Sequence, residues 1–169
     1  MTTTINRNEL WFFISGIQAE KDITSCGQEA MKYKALLYSI ATNLGTSEKE
    51  ATELAEYVCL IGERGFAEQK KNFTMRIWLS KILVHHCIFK ICSSMFSQHA
   101  HTANSFQTVN NYLRPLRVYK IPISFRTVYI LFHSIGFAES EVGQILNITP
   151  IQVRERLAKA TAIIKSQHI

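Results

Sequence analysis

The sequence predicts an all-α protein of two small helical domains joined by a polar linker, the C-terminal domain being a helix-turn-helix. Apolar residues recur at helical spacing through most of the chain, and strand signals are nearly absent. Between Ser93 and Leu113 there is no Asp, Glu, Lys or Arg, and such a stretch cannot bury enough apolar surface to fold alone. We therefore predict a first domain over residues 1–93, a linker over 94–119 and a second domain over 120–169.

The first domain begins with three predicted helices. Apolar spacing indicates one helix from Leu10 to Ile17, and a second is expected from about Gln28 to Asn43. A third begins near Ser47, because Ser47 and Glu50 have the spacing of a capping box. The two glycines of the GERG stretch at 62–65 are expected to end it. Its predicted buried face consists of Ala51, Leu54, Ala55, Val58 and Ile61.

A polar basic loop, FAEQKKNFT at 66–74, is expected next, followed by a largely buried helix that starts at Met75. This helix leads into a run rich in His and Cys, residues 85–101, whose side chains are of the types that bind zinc. Cys87 and Cys92 are five residues apart, so on a helix they would point about 140° away from each other. We therefore interpret the run as a helix end passing into the linker and predict no metal, with a zinc-binding protein as the less favoured alternative.

The strongest motif is AESEVGQILNITPIQVRERLAKATAIIK at 138–165. Asn147 stands where the turn between two helices needs a left-handed residue, and Gly143 permits close approach. Thr149 can cap the next helix, with Pro150 at its first position. This pattern predicts a helix-turn-helix whose second helix enters the major groove of DNA; an ordinary helical hairpin with a solvated charged face is the alternative. The candidate DNA-contacting residues are Thr149, Gln152, Arg154, Glu155, Arg156 and Lys159.

Charge and composition indicate which kinds of partner and activity fit the chain. From Arg114 onward the chain has eight basic and three acidic residues, a net charge of +5, out of +6 for the whole chain. A basic unit of this kind indicates a polyanionic partner, usually nucleic acid, although an unengaged basic surface would look the same. The sequence has no phosphate-binding glycine loop, no catalytic motif and no membrane span, so we predict neither an enzyme nor a cofactor nor membrane insertion. The start of the chain lacks signal-peptide features and the cysteines are scattered, so a cytoplasmic protein with reduced thiols is expected.

The C-terminal motif resembles the fourth conserved region of bacterial RNA polymerase sigma factors, especially the extracytoplasmic-function group. The matching residues are Pro122, Arg126, Glu141, Val142, Val153, Arg156, Leu157, Lys159 and Ala160. Two helices of the first domain resemble the second conserved region of the same family, and they match at Ala51, Glu53, Leu54, Val58, Trp78, Leu79 and Ile82. The order of the two blocks across a polar linker is more specific than either block alone.

The resemblance implies a sigma factor that binds core RNA polymerase, through its β′ and β subunits, and directs it to promoter DNA. The helix with Glu53, Leu54 and Glu56 would contact the polymerase, and the recognition helix would bind the −35 element. An anti-sigma factor is a further implied partner. The resemblance also implies that the loop and the helix that starts at Met75 (the Trp-Leu helix, named for Trp78 and Leu79) bind the −10 element. Basic side chains beside aromatic surfaces suit this capture of unstacked bases. The residues implied are Lys70, Lys71, Asn72, Phe73, Lys81, His85 and Lys90, whereas Trp78 is expected in the core.

Departures from the family pattern fall in the first domain. The positions where the family usually has Asn, Asp and Arg late in the Trp-Leu helix are here His85, Phe89 and Cys92, and Glu56 and Cys59 replace the usual Gln and Phe. These changes bear on promoter melting more than on binding of the polymerase or the −35 element. A sigma-like helix-turn-helix regulator that no longer melts promoters is therefore the alternative function.

Overall fold

The computed structural model describes residues 28–69, 71–98 and 121–166, and the predicted all-α class is confirmed over these ranges. The predicted helix from Leu10 to Ile17, Lys70 and most of the predicted linker lie outside the described residues. No helix within the described ranges is both long enough and apolar enough to cross a bilayer. The helices are α1 (Gln28–Met31), α2 (Lys34–Leu44), α3 (Glu48–Gln69), α4 (Met75–Gln98), α5 (Ile123–Tyr129), which continues as a π-helical segment (Ile130–Ser134), α6 (Glu139–Leu146) and α7 (Pro150–Ser166).

Helices α2, α3 and α4 pack against one another and form the N-terminal bundle. Helix α2 ends at Gly45, whose φ of 109° is left-handed. The predicted capping box then starts α3: the amide N–H of Glu50 donates to the Ser47 hydroxyl, and the amide N–H of Ser47 donates to the Glu50 carboxylate. The fully buried side chains of α3 include Ala51, Ala55, Val58 and Cys59.

Helix α3 does not end at the GERG stretch, so that expectation was wrong; the helix runs on to Gln69. The glycine at Gly62 serves close packing instead, because a Cβ there would lie 2.2 Å from Cδ2 of Leu79 on α4. Its carbonyl oxygen accepts a hydrogen bond of 2.9 Å from Nε1 of Trp78. Trp78 is 6% exposed, which confirms the expectation that it belongs to the core.

Helix α4 extends to Gln98 and so enters the segment assigned to the linker from its sequence. Its buried residues, among them Leu79, Leu83, Val84 and Cys87, face the other helices of the bundle. Cys92, the second cysteine of the His/Cys run, is half-buried on the same continuous helix.

The C-terminal unit consists of α5, the π-helical segment, α6 and α7, with α7 packed on both α5 and α6. Asn147 has φ 54° and ψ 48°, the predicted left-handed turn residue. Gly143 is tightly placed against the turn, since a Cβ there would lie 2.8 Å from the carbonyl oxygen of Ile148. The amide N–H of Ile148 in turn donates to the carbonyl of Gly143. Val153 and Ala160 are fully buried beneath α7.

The N-terminal bundle and the C-terminal unit pack against each other. Helix α4 contacts α6, and α2 contacts the π-helical segment. The apolar core is continuous across this boundary and includes Leu79 and Val84 on one side with Phe137, Val142 and Ile145 on the other. The two units therefore share one apolar core in this structure.

Candidate nucleic-acid interface

Helix α7 carries exposed polar and charged side chains and begins with a capped first turn. The Thr149 hydroxyl accepts from the amide N–H of Gln152 at 3.3 Å, and the Gln152 carboxamide oxygen accepts from the amide N–H of Thr149 at 2.9 Å. Thr149 and Gln152, both predicted DNA contacts, thus form a capping box with each other. The cap at Thr149 was predicted from the sequence, and the part of Gln152 in it was not. The box satisfies amides that are otherwise orphaned at a helix start and fixes the direction of α7.

The remaining predicted residues of α7 differ in their exposure. Glu155 and Lys159 are exposed, and Nζ of Lys159 lies 5.7 Å from the ring centre of Phe125 on α5. Arg154 is 65% exposed, and its Nε lies 3.0 Å from the carboxylate of Glu139 on α6. Arg156 is half-buried towards the inner side. Five of the six predicted residues are therefore exposed, and Arg156 is the exception.

A second patch lies where the loop after α3 meets α4. The Phe73 ring stacks on Trp78, with ring centres 6.2 Å apart, and Nζ of Lys81 lies 4.7 Å from the centre of the Phe73 ring. Burial lowers the pKa of Lys81. Lys71 and Asn72 are exposed beside Phe73. An aromatic ring, a cation held over it and further polar groups make a surface of the kind that holds unstacked bases.

Two of the predicted −10 residues do not join this patch. Lys90 lies nine residues beyond Lys81, which places it about 180° around the helix, and its ammonium group is 2.7 Å from the carboxylate of Glu50. His85 is half-buried, and its ring lies near the backbone carbonyl of Ile145 on α6. Burial, followed by the charge of Lys81, lowers the pKa of His85.

The two candidate DNA surfaces face each other across one groove of about 530 Å³. Phe73 and Lys81 line one wall, and Asn147, Thr149 and Gln152 are among the residues of the opposite wall. Nothing in the sequence predicted this juxtaposition, because it depends on the packing of α4 against α6. The start of the recognition helix thus lies across the groove from the patch of Phe73 and Lys81.

The side chain of Arg76 connects the N-terminal bundle with the C-terminal unit. The guanidinium of Arg76 on α4 lies 3.2 Å from Oε1 of Glu141 on α6 and 4.1 Å from the ring centre of Phe137. The other carboxylate oxygen of Glu141 accepts from the amide N–H of Ala138 at 2.8 Å, so Glu141 also caps α6. Arg76 was not among the predicted site residues, and its only signal in the sequence is a basic residue at the start of the Trp-Leu helix.

Comparison with known proteins identifies this arrangement of helices. No protein-family model matches the sequence, and neither does any curated protein sequence. The sigma factor RpoE of Bartonella quintana, solved in complex with the anti-sigma factor NepR, aligns with a TM-score of 0.60 at 14% identity, covering 82% of this chain and 93% of that chain. CnrH, solved in complex with the cytosolic domain of CnrY, aligns with a TM-score of 0.63 at 15% identity, covering 93% of this chain and 92% of that chain. The chain has the fold of a sigma factor.

The sigma-factor resemblance predicted from the sequence is thus confirmed at the level of the fold. The implied polymerase-binding residues lie on α3: Glu53 and Glu56 are exposed, and Leu54 is half-buried. Glu56 forms an ion pair with Lys34 of α2. Leu60 is 46% exposed and follows Glu53 by seven residues and Glu56 by four, so all three share a face. Leu60 was not among the predicted site residues, although its spacing from the two glutamates is apparent in the sequence.

The His/Cys run forms no metal centre within the described residues. Among residues 28–69, 71–98 and 121–166 there is no group of three His, Cys, Asp or Glu side chains that could hold an ion. His99 and His101 lie outside those ranges. Burial raises the pKa of Cys59 to about 11 and that of Cys87 to about 12, so both sulfurs stay protonated as small apolar core groups.

Proposed function

We propose that the chain is a sigma factor that binds core RNA polymerase through its β′ and β subunits and directs it to promoter DNA in the cytoplasm. The observation that carries this proposal is the combination, within a sigma-factor fold, of a capped helix-turn-helix with an aromatic and basic patch on a separate helix. In the proposal α7 binds the −35 element, and Phe73 with Lys81 and Lys71 holds unstacked bases of the −10 element.

The polymerase-binding surface proposed here is the exposed face of α3 that carries Glu53, Glu56 and Leu60. An apolar side chain one turn beyond two carboxylates gives a surface with both apolar area and charge specificity. RpoE was solved bound to an anti-sigma factor, and we extend the proposal to an inhibitory protein partner of that kind for this chain.

The test is transcription in vitro with sigma-free core polymerase from the same source and fragments of that genome as templates. We expect discrete start sites when the full-length protein is added. Lys159→Ala should weaken transcription from them, because Lys159 is exposed on the outer flank of α7 and suits a phosphate contact. Lys165→Ala removes the same charge from the last turn of the same helix and is the matched control.

Three results would separate the alternatives. Start sites that depend on Lys159 and not on Lys165 support the sigma-factor proposal. Binding to core polymerase without any start site would favour the helix-turn-helix regulator that no longer melts promoters. Absence of binding to core polymerase would overturn the proposal.

A further inference from the structure

The centre of the outer face of α7 is apolar. Ile151 is 65% exposed, the highest value among the large exposed apolar side chains of the described residues. Ala158 and Ala162, also exposed, follow it by seven and eleven residues, so at 100° per residue all three lie within about 40° of one another. The buried Val153 and Ala160 lie on the opposite side of the helix.

Three of the polar neighbours of Ile151 interact within the protein, whereas Glu155, four residues further along and about 40° around the helix, is exposed. Thr149 and Gln152 bond to each other in the capping box, and Arg154 pairs with Glu139. Ile151 is also absent from the walls of the groove, which Thr149, Pro150 and Gln152 line. Of the first turn of α7, Ile151 is therefore the side chain directed fully away from the protein.

A β-branched apolar residue does not stabilise an exposed first turn of a helix, since it lowers helix propensity and gains no burial there. In a helix-turn-helix the first turns of the second helix are the part that meets base edges in the major groove. The apolar feature of that groove is the 5-methyl group of thymine, and apolar side chains recognise it by contact. The net charge of +5 from Arg114 onward supplies the electrostatic match to duplex DNA.

We propose that Ile151 determines sequence specificity by packing against the 5-methyl group of one thymine in the duplex element bound by α7. The small side chains of Ala158 and Ala162 leave the adjoining part of the helix face free to approach the bases. This proposal rests on the proposed function, because it assumes that α7 binds duplex DNA.

The experiment is a double-mutant cycle between the Ile151 side chain and the 5-methyl group of a thymine. Holoenzyme made from the full-length chain and core polymerase selects duplexes from a random library, and core polymerase alone sets the background. Each thymine of the selected duplex is then replaced singly by deoxyuridine, which removes only the 5-methyl group. The dissociation constant of each duplex is measured for wild type and for Ile151→Ala.

We expect one position at which deoxyuridine weakens wild-type binding about fourfold, the effect of losing one buried methyl group. Ile151→Ala should weaken binding to the thymine duplex by a similar factor. The variant should then bind the thymine and deoxyuridine duplexes with equal affinity. Ile151→Val keeps a methyl group near the base and should retain most of the discrimination. Met31→Ala removes an exposed apolar side chain from α1 (42% exposed) and should discriminate like wild type.

Two other results overturn the proposal while leaving the proposed function standing. One is a selected element in which no thymine responds to deoxyuridine. The other is a response of equal size in wild type and Ile151→Ala, as a thymine contacted elsewhere would give. If holoenzyme enriches no duplex above core polymerase alone, the proposed function itself fails and this proposal fails with it.

Discussion

At the scale of single residues, Asn147 determines the geometry of the helix-turn-helix. Its φ of 54° and ψ of 48° are left-handed, a conformation that Asn adopts more readily than other residues with a side chain and that costs β-branched residues most. We expect Asn147→Val to lower the free energy of unfolding by about 1–2 kcal/mol. Asn147→Gly should stay within about 0.5 kcal/mol of wild type, because glycine accepts positive φ freely. Urea denaturation followed by circular dichroism measures both, and equal stability of the two variants would contradict this account of the turn.

The second prediction at this scale concerns pH. Burial, with a further contribution from the charge of Lys81, lowers the pKa of His85, and burial also lowers that of His86. The unfolded chain takes up these protons near the ordinary value of about 6.5, so it binds more protons than the folded chain just below that pH. The contribution of the two neutral histidines to stability is therefore fully present above pH of about 6.5. It decreases as the pH falls from there towards the lower folded-state pKa values.

We expect the urea concentration at the unfolding midpoint to decrease when the pH is lowered from about 7.5 to about 5.5. His85→Gln keeps an N–H donor for the Ile145 carbonyl without a titrating ring, and it should make the pH dependence less steep. His133→Gln, at an exposed position of the π-helical segment, controls for the loss of a histidine as such. A midpoint that is independent of pH in this range would refute the prediction.

At the scale of elements, the predictions succeeded where the signal is local. The predicted capping box of Ser47 with Glu50 and the predicted N-cap at Thr149 involve residues three positions apart, and both form. The predicted end of α3 at the GERG stretch was wrong, because glycine serves both as a helix stop and as a site of close packing. Only the neighbouring helix decides between these roles, and here Leu79 and Trp78 of α4 occupy the space beside Gly62 and Gly65.

The packing at Gly62 gives a prediction for α3. A Cβ at Gly62 would lie 2.2 Å from Cδ2 of Leu79, so Gly62→Ala requires α4 or the Leu79 side chain to shift. We expect a loss of about 1–3 kcal/mol in the free energy of unfolding, the usual cost of overpacking a core. Gly65→Ala is the matched control, because its Cβ would lie 3.3 Å from the ring of Trp78 and the better helix propensity of alanine offsets the contact. If Gly62→Ala were as stable as Gly65→Ala, the close approach of α3 and α4 would not depend on this glycine.

At the scale of the whole molecule, the sequence predicted the parts and their order but not their arrangement. The helical class, the helix-turn-helix and the aromatic and basic patch each depend on residues close together in the chain. The groove between patch and recognition helix depends on pairs such as Arg76 and Glu141, which are 65 residues apart. No periodicity or motif connects such residues, so this contact could be found only in the folded chain.

In the proposed function, the two candidate surfaces bind two different promoter elements. Phe73 and Lys81 face Thr149 and Gln152 across one groove, and we expect the proposed binding of both elements at once to require separation of α4 and α6. Arg76 opposes that separation through Glu141 and the Phe137 ring. A partly exposed ion pair and a cation–π contact together contribute on the order of 1 kcal/mol, which corresponds to about a fivefold change in the equilibrium between packed and separated states.

We therefore expect Arg76→Ala to shift the molecule towards separation of the two units while each unit stays folded. Hydrogen exchange should speed up at the amides of α6, Glu139–Leu146, and small-angle scattering should give a larger radius of gyration. Glu141→Gln removes the charge but keeps an oxygen to accept from Ala138, so it should show the same shift with α6 still capped. Arg154→Ala is the matched control, because its ion pair with Glu139 lies within the C-terminal unit and does not cross the groove. Unchanged exchange in α6 for both Arg76→Ala and Glu141→Gln would mean that the apolar contacts alone hold the units together.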